Sequence, residues 1–294
     1  MEGFSLRKAT RQIVAGGSAG LVEVCLMHPL DVIKTRLQLQ RGPGDPHHYT
    51  SMADCIRKMV KHEGALSFYK GILPPILAET PKRATKFFSF ECFNSLLKSS
   101  GATGPMVLVL AGLGAGLTEA IVITPFERVK VHLQAQRNKL SEQPSSWSCA
   151  RDIARRDGFG TRGLYKGLTA TLGRHGVWNA VYFGCYHNLK SLLTPSQSAS
   201  VSTSLLLGFL SGAFASVTNI PFDVAKSRIQ GPQPVDNPFK YSTTTATLRI
   251  IVKEEGYQAL FKGLVPKVLR LGPGGGIMFV VYEEMSSLLK RNGL

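Results

Sequence analysis

The chain has 294 residues, 44% of them apolar, with 30 glycines and a net charge of +16. This composition excludes a disordered chain and favours a membrane protein, whereas the charge is compatible with an anionic lipid surface, a nucleic acid or an anionic small molecule. The five cysteines are scattered and form no CxxC pair, which argues against a disulfide framework or a zinc site.

Three apolar segments open the three parts of the chain. Residues 13–30 contain one charged side chain, Glu23, residues 105–123 contain only Glu119, and residues 201–221 contain none. Each segment is close to the ~20 residues that a helix needs to cross a bilayer. The segments also share a GxxxG pair, which predicts close packing between membrane helices. The pairs are Gly16 and Gly20, Gly112 and Gly116, and Gly208 and Gly212.

Each apolar segment leads into the same motif, Pro-x-[Asp/Glu]-x-x-Lys. It occurs at residues 29–34, 125–130 and 221–226, so that equivalent positions are 96 residues apart. Such a period makes the chain three copies of one unit. We therefore expect a single domain over 1–294, with repeats at 1–100, 101–199 and 200–294.

A long polar connection follows each motif. Met52, Ile56, Met59 and Val60 would share one helical face, which predicts a short amphipathic helix on the membrane surface. Each connection ends in an aromatic-Lys-Gly tag, namely Tyr69-Lys70-Gly71, Tyr165-Lys166-Gly167 and Phe261-Lys262-Gly263. The connections carry more Lys and Arg than Asp and Glu, so they are expected on the positive side of the membrane.

The second half of each unit mixes long apolar runs with charges, over residues 72–97, 168–193 and 264–289. These runs are typical of amphipathic spans with one polar face turned inward. The fold predicted is an all-α membrane protein with six tilted transmembrane helices in three pseudo-threefold repeats, together with short surface helices.

A pseudo-threefold arrangement places the motif residues in rings. The ring comprises three acids, Asp31, Glu127 and Asp223, and three lysines, Lys34, Lys130 and Lys226. One interpretation is an i, i+3 pair within each helix. The other, which we favour, is a gate in which the acids meet lysines of neighbouring helices, as Asp31 with Lys130, Glu127 with Lys226 and Asp223 with Lys34.

Two further sets of residues belong to this gate hypothesis. Glutamines stand one helical turn after the lysines and are predicted to hydrogen-bond across the ion pairs; they are Gln38, Gln134 and Gln230. Towards the other end of the helices, Glu91 and Lys190 are the candidates for a second, weaker gate.

Seven residues past the tag glycines stand Ala78, Arg174 and Arg270. A guanidinium inside a membrane is costly unless it lines water or meets an anion. Two arginines at one depth suit a molecule with two carboxylates, a mononucleotide is the competing anion, and structural pairing with Glu23 or Glu119 is the alternative. Further candidates for substrate binding are His175, Glu79 and Lys82.

Motifs of enzymes are missing from the sequence. There is no GxxxxGK[ST], no HExxH and no GxSxG. We expect no cofactor, no metal and no nucleic-acid partner. The function classes left are a transporter and a basic membrane scaffold that transports nothing.

The repeated Pro-x-[Asp/Glu]-x-x-Lys motif with its aromatic-Lys-Gly tags resembles the mitochondrial carrier family over the whole chain. The resemblance implies a water-filled funnel in the mitochondrial inner membrane, long connections on the matrix side, and alternating access. It also implies substrate contact points at Ala78-Glu79, Arg174-His175 and Arg270. Arginine followed by histidine resembles the keto-acid members, which implies antiport of C5 to C7 2-oxodicarboxylates, such as 2-oxoadipate for 2-oxoglutarate.

Other substrates and partners stay open at this point. A different carboxylate or a nucleotide is the alternative cargo. We further expect a monomer that contacts membrane lipids, including anionic ones such as cardiolipin.

Overall fold

The computed structural model describes residues 6–41, 48–102, 104–193, 201–234 and 240–291, and these residues form helices without strands. The long helices are α1 (Leu6–Leu39), α3 (Leu73–Ser99), α4 (Pro105–Ala135), α6 (Leu168–Leu193), α7 (Val201–Gln230) and α9 (Leu264–Arg291). The short helices are α2 (Met52–Glu63), α5 (Ser146–Asp157) and α8 (Thr244–Glu255). At 1.5 Å per residue each long helix measures roughly 40 Å or more, enough to cross a bilayer.

Four stretches of the described residues are both long and apolar enough to span a membrane. They are Arg11–Leu39, Val109–Ala135, Thr203–Gln230 and Tyr257–Arg291. The helices α3 and α6 have the length but carry more polar side chains, as expected of spans with an inward polar face. The predicted boundary between the second and third repeats, at 199–200, lies outside the described residues.

The long helices close into a ring. Helix α1 packs against α9, α3 against α4, and α6 against α7, while α1, α4 and α7 also contact one another. The motif prolines, Pro29, Pro125 and Pro221, lie inside α1, α4 and α7. A proline within a helix removes one backbone hydrogen bond and bends the helix. The bends bring the second halves of these three helices together at one end of the bundle, which we call the closed end.

The short helices anchor the segments that carry the motif. Cys55 and Met59 of α2 are buried against Val32 and Ile33 of α1. In the other repeats, α5 packs on α4 and α8 packs on α7 in the same way. Met52 and Ile56 pack against the same cluster as Met59, as predicted, whereas Val60 is exposed. Each repeat therefore fixes its own motif against its own surface helix.

At Gly20, Gly116 and Gly212 of the GxxxG pairs, side chains of a neighbouring helix lie close to the glycine. A Cβ on Gly20 would collide with Glu79 Oε1, and one on Gly116 would lie 3.1 Å from Asn179 Nδ2. A Cβ on Gly112 would meet no atom within 4 Å. The predicted close packing of helices is therefore present at some of these glycines, and at Gly20 and Gly116 a polar side chain of the neighbouring helix occupies the room.

Salt bridges join the repeats at the closed end. Glu63 Oε2 accepts from Arg36 at 2.7 Å and from Lys70 at 2.5 Å, and both cations also donate to the carbonyl of Gln136 beyond the end of α4. The last carbonyls of a helix lack partners within it, so the cations close the joint between α1 and α4. The third repeat uses the same arrangement with Arg228, Lys262, Glu255 and the carbonyl of Gln40.

The middle repeat closes its joint with a different arginine. His132 stands where the other repeats have Arg36 and Arg228. Arg128, one turn earlier, donates to the carbonyl of Gln230 and lies 3.6 Å from Asp157. Burial and the neighbouring Arg128 lower the pKa of Lys166 to about 8. The joint between α4 and α7 therefore differs from the other two in the position of its arginine, and its lysine loses its charge more readily than a free lysine.

Candidate substrate site and gate

The acids of the repeated motif form ion pairs with lysines of neighbouring helices. The pairs are Asp31–Lys130 at 2.7 Å, Glu127–Lys226 at 2.6 Å and Asp223–Lys34 at 2.8 Å. We call these six residues the motif ring. The inter-helix pairing predicted from the sequence is present, and each pair joins two of the helices α1, α4 and α7. The role of the ring as a gate stays a prediction.

The glutamines do not hydrogen-bond across these ion pairs as predicted. Gln134 Oε1 accepts from Thr35 Oγ1 and Gln38 Oε1 accepts from Ser227 Oγ, both at 2.7 Å. The glutamines lie one turn beyond the lysines, where a hydroxyl of the adjacent helix is the nearer donor. Gln230 is fully buried, and its amide finds no hydrogen-bond partner among the described residues.

The repeat register explains why Gln230 lacks a partner. Thr35 and Ser227 are equivalent positions, and the third position of the set is Val131, which has no hydroxyl. We expect Val131→Thr to supply the missing donor at nearly constant volume and to stabilise the closed end by about 0.5–1.5 kcal/mol. The measurement is the Tm of the purified protein. A lower Tm would show that the hydroxyl is buried without reaching the amide.

Arg174 lies between two acids of the motif ring. Its Nη2 is 3.2 Å from Glu127 Oε1, and its Nε is 3.8 Å from Asp223 Oδ1. The Nη2 group also lies 2.8 Å from His175 Nε2. Because a guanidinium only donates, His175 accepts through Nε2 and carries its proton on Nδ1. Arg174 and His175 therefore act as one unit at the edge of the ring.

Arg270 is held by two carboxylates of α1. Its Nη2 and Nε lie 2.5 and 3.1 Å from Glu23 Oε1, and its Nη1 lies 2.9 Å from Asp31 Oδ1. The structural pairing with Glu23, which the sequence left as an alternative, is therefore present. Glu119 pairs with a lysine instead: its Oε2 lies 3.7 Å from Lys86 Nζ.

The two arginines differ because the repeats are not identical. Glu23, Glu119 and Ala215 occupy equivalent positions in α1, α4 and α7. Arg270 meets Glu23, and by the same register Arg174 stands opposite Ala215. Within the described part of the chain, Arg174 therefore has no carboxylate of its own and shares those of the motif ring.

Glu79 and Lys82 form a separate cluster on α3. Glu79 is buried and accepts from Arg83 Nε at 2.7 Å, while Lys82 Nζ lies 3.4 Å from its other oxygen. The cluster lies against Gly20 of α1. Its ion pairs stay within α3 and include no residue of the motif ring among the described residues.

The candidates for the second gate lie away from this site. Glu91 and Lys190 are exposed towards the ends of α3 and α6. Their pairing stays a prediction for the conformer in which that end of the bundle is closed.

One functional candidate escaped the sequence analysis. Lys267 Nζ lies 2.9 Å from Asp223 Oδ2, inside the cluster that holds Arg174. The sequence feature that could have identified Lys267 is its position three residues before Arg270, since residues at i and i+3 share a helix face.

Comparison with known proteins agrees with this architecture. The family model described as Mitochondrial carrier protein matches residues 6–101, 102–197 and 197–293. The chain is 57% identical over 289 residues to the mitochondrial 2-oxodicarboxylate carrier of Homo sapiens, covering 98% of this chain and 97% of that protein. It is 42% identical over 283 residues to the probable mitochondrial 2-oxodicarboxylate carrier of Schizosaccharomyces pombe, covering 94% and 93%.

A third relative is named for a different cargo. The chain is 41% identical over 289 residues to mitochondrial citrate transporter D of Aspergillus niger, covering 95% of this chain and 94% of that protein. The matches extend over nearly the whole chain, and the predictions of an all-α carrier fold and of a transporter rather than an enzyme are confirmed. The chain therefore belongs to the mitochondrial carrier family and is a transporter of the mitochondrial inner membrane.

Proposed function

We propose that the chain exchanges C5 to C7 2-oxodicarboxylates, 2-oxoadipate for 2-oxoglutarate, by alternating access. The observation that carries the proposal is that two arginines at equivalent depths, Arg174 and Arg270, both donate to acids of the motif ring. Relatives named as 2-oxodicarboxylate carriers, from Homo sapiens to Schizosaccharomyces pombe, support this substrate class.

The two arginines suit the two ends of a dicarboxylate. A guanidinium offers parallel donors that match a carboxylate, and such charge-assisted bonds are stronger than neutral ones. His175 accepts from Arg174 at Nε2 and so presents its Nδ1–H as a donor for a substrate oxygen. Glu79 and Lys82, which pair with each other on α3, are the further candidates for contact with the substrate.

Binding and gating are coupled through shared carboxylates. Glu127 and Asp31 each accept from one arginine and from one lysine of the motif ring. A substrate carboxylate competes with these acids for the arginines and so weakens the ties between the binding site and the gate. A ligand can shift such an equilibrium only by its different affinity for the two states. The matrix side then opens, and Glu91 and Lys190 close the other side.

A carrier for another carboxylate is the second candidate, because one relative is named as a citrate transporter. A nucleotide carrier and a scaffold without transport are the remaining alternatives. These candidates differ in which anion crosses the membrane, or in whether any anion crosses. A transport assay with several labelled anions therefore distinguishes them.

The test uses purified protein in liposomes loaded with 2-oxoglutarate. We expect uptake of labelled 2-oxoadipate, and little uptake of labelled citrate, ADP or aspartate. Uptake should require the internal 2-oxoglutarate, because an antiporter moves cargo only in exchange. No uptake of any 2-oxo acid would reject the proposed substrate, and uptake of citrate alone would favour the second candidate.

We also propose that the carrier works as a monomer and binds anionic lipids such as cardiolipin. The net charge of +16 supports attraction to an anionic membrane surface. Native mass spectrometry checks both points, with one chain and retained cardiolipin as the expected result. A dimeric mass, or complete loss of cardiolipin under conditions that retain the fold, would contradict it.

A further inference from the structure

Lys267 shares its carboxylate partner with two other cations. Its Nζ lies 2.9 Å from Asp223 Oδ2, and Lys34 Nζ lies 2.8 Å from the same oxygen. Arg174 Nε lies 3.8 Å from Asp223 Oδ1. One buried carboxylate is therefore surrounded by three positive charges, which it cannot neutralise alone.

The ion pairs around the motif ring, taken together, also contain more cations than carboxylates. Within the described residues, the ion pairs that include the motif ring connect six cations with four carboxylates, an excess of two positive charges. The cations are Lys34, Lys130, Lys226, Arg174, Lys267 and Arg270, and the carboxylates are Glu23, Asp31, Glu127 and Asp223. A dianion would restore neutrality.

The excess lies in one half of the network. Glu23 and Asp31 are balanced by Lys130 and Arg270. Glu127 and Asp223 face the other four cations. An uncompensated buried charge is costly, so the half that contains Arg174 and Lys267 is the half that attracts an anion.

Lys267 has no counterpart in the other repeats. The equivalent positions, four residues past the tag glycines, are Pro75 and Thr171. The motif ring pairs each acid with a lysine of its own and is complete without Lys267. A gate with threefold symmetry does not need a charge that occurs in one repeat only. Such a charge fits a role in binding an asymmetric ligand.

We propose that Lys267 is a third substrate-binding cation. One carboxylate of the 2-oxodicarboxylate lies between Lys267 and Arg174, the other accepts from Arg270, and Lys34 stays with Asp223. This inference rests on the proposed function and adds the residue that selects a doubly charged substrate over a singly charged one.

The experiment compares two lysines that contact the same carboxylate oxygen. Parent protein, Lys267→Gln and Lys34→Gln are reconstituted in liposomes, and KM and maximal rate are measured for 2-oxoadipate. We expect Lys267→Gln to raise KM roughly 10- to 100-fold, because one charge-assisted bond to the substrate is lost. Lys34→Gln should change the maximal rate with little change in KM. Lys267→Arg should keep KM within a few-fold of the parent.

Further measurements distinguish a wrong role for Lys267 from a wrong proposed function. Lys253→Gln, a change at an exposed position of α8, should leave exchange unchanged. Lys267→Met is the second uncharged variant, to be used if Lys267→Gln does not fold. Lys267→Gln should also narrow the preference for 2-oxoadipate over a singly charged 2-oxo acid of equal chain length. A parent-like KM and preference in both uncharged variants would overturn the role of Lys267. Absence of 2-oxo acid exchange in the parent would instead overturn the proposed function, and the inference with it.

Discussion

Replacing Arg174 by alanine is expected to abolish exchange of 2-oxodicarboxylates while the carrier stays folded. Truncating one partner of a buried, hydrogen-bonded charge pair costs about 2–5 kcal/mol of binding, which is roughly 30-fold or more in affinity. Glu127 keeps Lys226, and Asp223 keeps Lys34 and Lys267. No acid of the motif ring is therefore left without a cation.

The measurement is exchange of 2-oxoadipate for 2-oxoglutarate in liposomes, together with the Tm of the purified variant. Arg151→Ala is the matched control, because Arg151 is exposed on α5. Parent-like exchange in Arg174→Ala would remove Arg174 from the substrate site. A large fall in Tm would mean that the arginine is structural.

Replacing Asp31 by asparagine is expected to produce the largest loss of stability. Asp31 accepts from Lys130 at 2.7 Å and from Arg270 at 2.9 Å, and it joins α1, α4 and α9. Removing one partner of a buried ion pair costs about 3–5 kcal/mol, because a charge is left without compensation. We expect the Tm to fall and the closed end to open more readily.

The matched control is Asp54→Asn, which removes a partly exposed acid that pairs with Lys58 within α2. Surface pairs of this kind contribute little to stability, so the Tm should stay near that of the parent. Equal Tm values for Asp31→Asn and Asp54→Asn would contradict a closed end held by the motif ring.

The repeat period carries most of what could be predicted from the sequence. The period places the three acids and the three lysines of the motif at one depth in the membrane. An unpaired charge is costly there, so each acid is expected to pair with a lysine. The ion pairs Asp31–Lys130, Glu127–Lys226 and Asp223–Lys34 follow from that constraint. Their distances of 2.6 to 2.8 Å agree with it.

Departures from the period were harder to predict. Lys267, Ala215 and Val131 are single positions that break the threefold pattern. Each of these positions changes the ion pairs or hydrogen bonds of the residues around it. The repeated motif describes only what the three repeats share, so it does not predict these differences. The orientation of Arg174 between two ring acids also depends on packing among α4, α6 and α7, which spacing alone does not determine.

The most direct test of the account is exchange by a variant that carries both Arg174→Ala and Arg270→Ala. The variant is reconstituted in liposomes loaded with 2-oxoglutarate, and uptake of labelled 2-oxoadipate is followed beside the parent. The account predicts uptake by the parent and none above protein-free liposomes for the double variant. Exchange by the double variant at the parent rate would contradict it.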